Sequence, residues 1–534
     1  MRRRLRIGAA GGVLLAFAAA GCSNGTNGAA SAGPPRPGGT LTLGIAINPE
    51  CVDPQQAGAN GEVNVARQLV DSLTDQDPRT GALRPWLATS WRSSADATRF
   101  TFHLRKGATF SDGTPVDAAA LRANLDGIVR LGARSPIAGS YLAGYAGTTV
   151  DDPYTATVRF RTPSAQFLQA TSTPSLGLLS PRSVAADPGG RCHGTRLVGS
   201  GPFVFSGYQQ NQQVVLRKRS GYDWGSPLWR HHGAAYLDRI VFRVLPEPGV
   251  RTGAVQSHQV DAITDVQPSD EATLTKSGVT ELIRANPGFV FSLYPNVSRA
   301  PLKDPVVRQA IQLGVNRREV VDTVLTRSYR PASSVLARST PTYTDLSAKL
   351  AYDPAAARAA LARDGWRAGA GGIRTKAGHA LRVDVVFTAT FNQSQQVLEL
   401  VQQQLRAIGV DLRLRPTTPG ELTSVQQAGT YDFSWGNLTR ADPDILRTLF
   451  STRFHNADRL TDSPLEKDLT AQAATLDPER RAALSARVQT ALVAGGYAIP
   501  VFELTQVVGL GPTAHGIGFE ASSRLQLHDA WTSR

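Results

Sequence analysis

A charged and then apolar leader ending at Cys22 sets the terms on which the rest of this chain can fold. Arg2, Arg3, Arg4 and Arg6 precede an almost unbroken run of apolar and small residues from Ile7 to Ala20. The run is too short for a spanning helix, which needs roughly 20 apolar residues, and has the proportions of an export signal. The remainder is therefore expected to fold outside the cytoplasm, where disulfides persist. Residues 23–39 are mostly Gly, Ala, Ser, Asn and Pro and cannot bury a core. As a flexible linker they would span roughly 20–25 Å. The remaining ~500 residues exceed what one hydrophobic core serves, so two or more lobes are expected.

The formal charge of +14 falls to about +10 once the four leader arginines are removed. No dense Lys/Arg run with interleaved aromatics accompanies it, so nucleic acid is not an expected partner. Leu41, Leu43 and Ile45 alternate as in a half-buried strand, and Phe100, Phe102 and Leu104 repeat the pattern. Strands are also predicted at 154–160, 214–219, 240–244, 383–387 and 410–414. Helices are predicted at 62–73, 115–129, 306–325, 354–362 and 394–408, the last with Val397, Leu400, Val401, Leu405 and Ile408 in register. Strand and helix alternate, which argues for α/β lobes. No nucleophile elbow, zinc-ligand helix or phosphate loop is present, and an exported hydrolase is disfavoured. No cofactor or metal site is expected.

Ala19-Ala20-Gly21-Cys22 resembles the lipobox of bacterial lipoproteins, with Ala19 where leucine is usual. That resemblance implies a diacylglycerol on Cys22 and a membrane tether on the outer face of the cell membrane. An ordinary cleaved signal is the alternative. With Cys22 lipidated, Cys51 and Cys192 remain, and an even remainder in an oxidising compartment suggests a disulfide. His193 beside Cys192 raises metal binding instead, without C-x-x-C or H-x-x-x-H spacing to support it.

Six ordered segments resemble the extracellular solute-binding proteins of family 5, the peptide-, oligopeptide- and nickel-type receptors of ABC importers. They are Gly38-Gly39-Thr40-Leu41, Pro85 to Trp91, Phe102 to Pro115, Gly199-Ser200-Gly201-Pro202-Phe203, Asp304 to Ile311, and Tyr352-Asp353-Pro354 through Gly365-Trp366. The resemblance implies an α/β, two-lobed periplasmic-binding-protein-like fold (class II, cluster C) with an extra domain inserted in lobe I. The implied organisation is a signal peptide at 1–21 and a lipidated linker at 22–37. Lobe I takes 38–75, 181–283 and 491–534, the inserted domain 76–180, and lobe II 284–490. It further implies a non-enzymatic, monomeric receptor that captures a peptide-like solute between hinged lobes. An ABC permease and ATPase would be its partners; a solute sensor without import is the alternative.

Peptide receptors of this family bind the ligand's α-amino group through an aspartate before an Asp-Pro pair. Here that segment is Trp435-Gly436-Asn437-Leu438-Thr439-Arg440-Ala441-Asp442-Pro443, with Thr439 or Leu438 in the aspartate's place. The departure points to an anionic, neutral or N-blocked ligand, with Arg440 adding positive charge, unless Asp442 or Asp444 substitutes. Asp442 can equally serve as a turn and helix cap. The candidate ligand residues are Asn48, Asn60, Phe391, Asn392, Trp435, Gly436, Asn437, Thr439, Arg440 and Asp442. Asn48 and Asn60 flank the loop after the first strand, and Phe391 and Asn392 follow a strand tip where α/β crevices bind ligands. Trp435 either stacks on ligand or sits in the core.

Overall fold

The computed structural model describes residues 33–534 except 389, 390 and 392. The leader, Cys22, most of the linker and Asn392 lie outside the described residues.

Two sheets organise the body. The first has seven strands, with Thr40–Ile45 near its centre. That strand runs parallel to both Arg239–Val244 and Ala262–Ile263. Leu41 and Leu43 are fully buried, as the alternation predicts, in a core with Phe203, Ile240 and Phe242. The second sheet has six strands. Its Arg382–Phe387 strand is parallel to Asp411–Pro416, and helix Ser394–Arg406 lies between them in sequence. That helix buries Val397, Leu398, Val401 and Leu405 against the sheet. A four-stranded antiparallel sheet between residues 88 and 160, covered by helix Ala118–Leu131, forms the insertion. Phe100, Phe160 and Phe167 pack edge and tilt in its core.

The chain passes between the two main sheets at 285–288 and 503–505. Ala285 pairs with Thr505, and Asn286 N–H donates to the Leu504 carbonyl at 2.8 Å. Strand Ile499–Glu503, expected in lobe I, instead pairs within the six-stranded sheet. Ile499, Val501 and Phe502 are fully buried there, and the apolar run alone does not say which sheet receives it.

Several local expectations change for identifiable reasons. The 62–73 helix stops at Arg67 because the carbonyls of Gln68 and Leu69 accept from Phe203 and Gly201. That approach is very close: a Cβ on Gly199 would lie 1.9 Å from the Leu69 carbonyl oxygen. The glycines of Gly199-Ser200-Gly201 are thus required for backbone contact. The 306–325 stretch is two helices, Pro305–Gly314 and Arg317–Val324, divided at Asn316, whose side chain caps the second. Buried Arg317 donates to the Gln312 and Val315 carbonyls at the end of the first. Asp112 does bond its own turn through Thr114 N–H. Pro115, expected to open the next helix, bridges Thr109, and Asp117 caps that helix.

Cys51 and Cys192 are joined as a disulfide, 141 residues apart in sequence. Beside it, Arg191 Nε lies 3.1 Å from the Asp53 carboxylate, and both side chains are buried. Replacing both cysteines by serine should lower the unfolding free energy by about 2–5 kcal/mol, measured by denaturant melts without reductant. Asp71, which accepts from Trp224 Nε1 and Tyr222 Oη, and Glu520, beside Arg67, are pushed up to about 7 by burial. The native state therefore holds these protons more tightly than the unfolded chain. Their contribution is complete below about pH 4 and is lost as pH rises through about 7. Glu520→Gln should flatten the fall in stability between pH 5 and 8 by up to about 3 kcal/mol, read from melts across that range.

Candidate ligand cleft

The cleft is built on the strand Phe433–Thr439. It pairs antiparallel with Gly288–Pro295, and the register slips between Phe289 and Ser292. Such a bulge re-aims side chains. Phe291 lies inside it and stacks on Phe502 at 4.7 Å and on Trp435 at 5.3 Å, with Phe391 at 5.1 Å. Trp435 is buried, and its Nε1–H donates to Ser394 Oγ at 3.2 Å. Phe291, Trp435 and Phe391 thus form one wall, backed by the fully buried Phe502.

Two cavities meet at that wall. One, of about 440 Å³, lies within the second lobe and is lined by Trp435, Gly436, Leu438, Tyr294 and His455, among others. The other, of about 260 Å³, lies between the lobes. Ala46, Ile47, Asn60 and Asp265 approach from the first lobe, Tyr329 and Phe391 from the second. Phe291 and Asn437 line both, so the cavities adjoin. Ile47 is 62 % exposed and Leu438 38 %, which leaves apolar surface facing the space. Among the described residues lining the two cavities, none is Lys or Arg, and Asp265 is the one carboxylate. Burial and nearby Arg459 hold His455 below its usual range, so it is neutral at neutral pH.

Asp265 was not singled out from sequence. It follows strand Ala262–Ile263 beside the central Thr40–Ile45 strand, at the strand end where α/β crevices receive ligands. Its φ of +54° is uncommon for a residue with a Cβ and best tolerated by Asn and Asp. That strand-end position was the available signal. Phe291, Tyr329 and Gln267 carried no comparable one.

The predicted residues divide. Asn60, Phe391, Trp435, Gly436 and Asn437 line the cavities. Asn48 does not: it bonds Tyr208 Oη at 2.8 Å and Asn211 N–H at 3.0 Å, tying its loop to the 203–218 hairpin. Thr439 accepts from Asn286 at the lobe crossing. Arg440 lines neither cavity, though it donates at 2.8 Å to Thr448 Oγ1 on the wall of the larger one. It is buried against the inserted domain, bonded to Ser140 Oγ at 2.9 Å and Gln166 Oε1 at 3.2 Å, over the Tyr141 ring at 4.7 Å. Asp442 makes a two-pronged pair with Arg481 at 2.6 and 2.7 Å and accepts from Asp444 N–H. The turn reading describes it, and the positive charge that argued for an anionic ligand is spent elsewhere.

Hydrogen bonds from side chains and backbone also bridge the lobes. Glu271 accepts from Thr326 at 2.7 Å and Ser328 at 2.8 Å, Gln393 donates to Gln267, and Ala165 N–H donates to the Ala473 carbonyl.

Residues 82–457 match the sequence profile of the bacterial extracellular solute-binding proteins, family 5. The chain belongs to this family. It is 27 % identical over 492 residues to the nickel-binding periplasmic protein of Escherichia coli K12, covering 89 % of this chain and 90 % of that one. It is 26 % identical over 471 residues to the glutathione-binding protein GsiB of Salmonella paratyphi A, covering 84 % and 86 %. Two solved structures share the fold. NikA of Brucella suis with Fe(III)-EDTA has a TM-score of 0.81 at 24 % identity, covering 93 % of this chain and all of that one. The oligopeptide-binding AppA of Bacillus subtilis with a nonapeptide has 0.76 at 17 %, covering 94 % and 100 %. The fold is therefore the two-lobed binding-protein architecture, and this family-5 chain is an extracytoplasmic solute receptor without a catalytic step.

Arg440→Ala removes a strut between the second lobe and the insertion. It should weaken ligand affinity and also lower the melting temperature, because a buried partner set is left unpaired. A ligand titration and a melt on the same sample check this; weakened affinity with an unchanged melt would return Arg440 to the ligand.

Proposed function

We propose that this chain is a lipid-anchored receptor, tethered through Cys22, that closes on a small peptide-like ligand and delivers it to an ABC permease and its ATPase. The observation that carries the reading is the pair of adjoining cavities with an aromatic wall on one lobe and Asp265 on the other. A ligand buried there gains apolar contact from Phe291, Trp435, Ile47 and Leu438, and hydrogen bonds from Asn437 and Asn60. Its cationic group, such as an amine, is placed on Asp265, in the role for which Thr439 lacks the charge. The named relatives take unlike cargo, nickel and glutathione, so they support the receptor role and leave ligand chemistry to the cleft. The lobe division is proposed at the two crossings, 285–288 and 503–505, and the insertion at 76–180.

Mass spectrometry of ligand released from natively purified protein should find an amine-bearing small solute. With that ligand, Asp265→Asn should lose about tenfold to a hundredfold in affinity, the worth of a charge-assisted hydrogen bond, while Thr439→Val changes it little. Equal affinity of Asp265→Asn and the parent would remove the carboxylate from the site. Cys22→Ser should move the protein from the detergent phase to the soluble fraction.

A further inference from the structure

The first lobe carries a second concentration of ligating atoms, remote in residue content from the cleft. His231, His528 and Asp529 bring one donor atom each within 4.8 Å of one another. None of the three lines either cleft cavity. His231 follows the buried Trp224 region, and the other two belong to the C-terminal segment, nearly 300 residues on.

The hydrogen bonds determine where the protons sit. His528 Nε2 is 2.8 Å from the Gly233 carbonyl oxygen, and His231 Nε2 is 3.1 Å from that of Ala234. A carbonyl oxygen only accepts, so each Nε2 carries the hydrogen, and each neutral ring keeps its lone pair on Nδ1. Both Nδ1 atoms face one oxygen, Asp529 Oδ1, at 2.9 and 3.2 Å. Asp529 Oδ2 is occupied by the Arg230 backbone N–H at 2.9 Å. Two nitrogen lone pairs and a carboxylate oxygen therefore converge with no proton to share among them. Charging one ring would give Oδ1 one proton to accept and leave the other Nδ1 lone pair facing the same oxygen, while charging both rings would supply both protons. Charging both would also set two cations face to face, since the rings stack at 4.2 Å.

A single divalent ion resolves the same conflict. Histidines that bind metal donate their other ring N–H to a carbonyl or carboxylate, which is the arrangement both rings already have. A tetrahedral zinc site with bonds of about 2.0–2.1 Å has ligand–ligand edges of roughly 3.3 Å. The two nitrogen–oxygen separations are close to that edge. The ion must lie near both ring planes, so loading tilts the half-buried His231 ring away from its stack with His528 and Tyr236.

We propose that His231 Nδ1, His528 Nδ1 and Asp529 Oδ1 form a site for a zinc-class divalent ion, with water in the fourth position, that pins the C-terminal segment to the 229–236 loop. Chelator-stripped full-length protein should bind one equivalent of Zn²⁺ by calorimetry at neutral pH, and its melting temperature should rise with zinc. Co²⁺ should give the visible absorption of tetrahedral coordination. His231→Ala, at a partly exposed position, and Asp529→Asn should each lower zinc affinity at least tenfold. Trp435→Ala and Asp265→Asn should leave it unchanged, which separates this site from any metal held in the cleft. Zinc binding that survives His231→Ala, or that falls with the cleft variants, would overturn the proposal. So would a melting temperature raised by acidification but not by zinc, since protons alone would then fill the cluster.

Discussion

Everything in this receptor turns on two short backbone crossings that lie side by side. Ala285 pairs with Thr505, and Asn286 donates to Leu504, so the chain leaves one sheet and returns to it along a single ribbon. Backbone hydrogen bonds across that ribbon keep the lobes in register, and the few residues of each crossing can absorb the dihedral changes of a hinge. Thr439 reaches the same place through Asn286, which couples the strand Phe433–Thr439 to the pivot.

Around this pivot the polar side chains fall into two kinds of work. Arg440, Glu271 and Gln393 join the second lobe to the first or to its insertion through hydrogen bonds. The cavities themselves are sparing in charge: Asp265, an exposed residue, is the one carboxylate among their described lining residues, and the buried Arg251 guanidinium donates to its backbone carbonyl at 3.1 Å. A buried charge needs a matching partner, because without one it is left desolvated and unpaired. Asp442 meets the same demand internally: it is buried, and Arg481 neutralises it.

Much of the architecture was legible because it depends on local pattern. Leu41, Leu43 and Ile45, the Phe100–Leu104 alternation and the Val397–Leu405 stripe each bury the face their period predicts. The extended helices were over-read where a long-range partner took the backbone. Gln68 and Leu69 surrender their carbonyls to residues 201–203, and Asn316 divides two helices that share one apolar stripe. Trp435, Gly436, Asn437, Phe391 and Asn60, singled out from the family pattern and strand-end position, line the cavities. Phe291 was not singled out, since only the bulge in its strand turns it toward Trp435.

The leader at the start of the chain marks an exported protein, and the ordered motifs that follow mark a two-lobed receptor. Both are properties of residue type and spacing, which a linear sequence carries in full. Which charges line the cavities was decided elsewhere. Arg440 and Asp442 sit within a few residues of Trp435, yet both are drawn into ion pairs and hydrogen bonds with Ser140, Gln166 and Arg481. Asp265, 170 residues before Trp435, lines the cavity beside it. Proximity along the chain did not predict proximity in the cleft, because a cleft between lobes is assembled from partners that meet only after each sheet has formed.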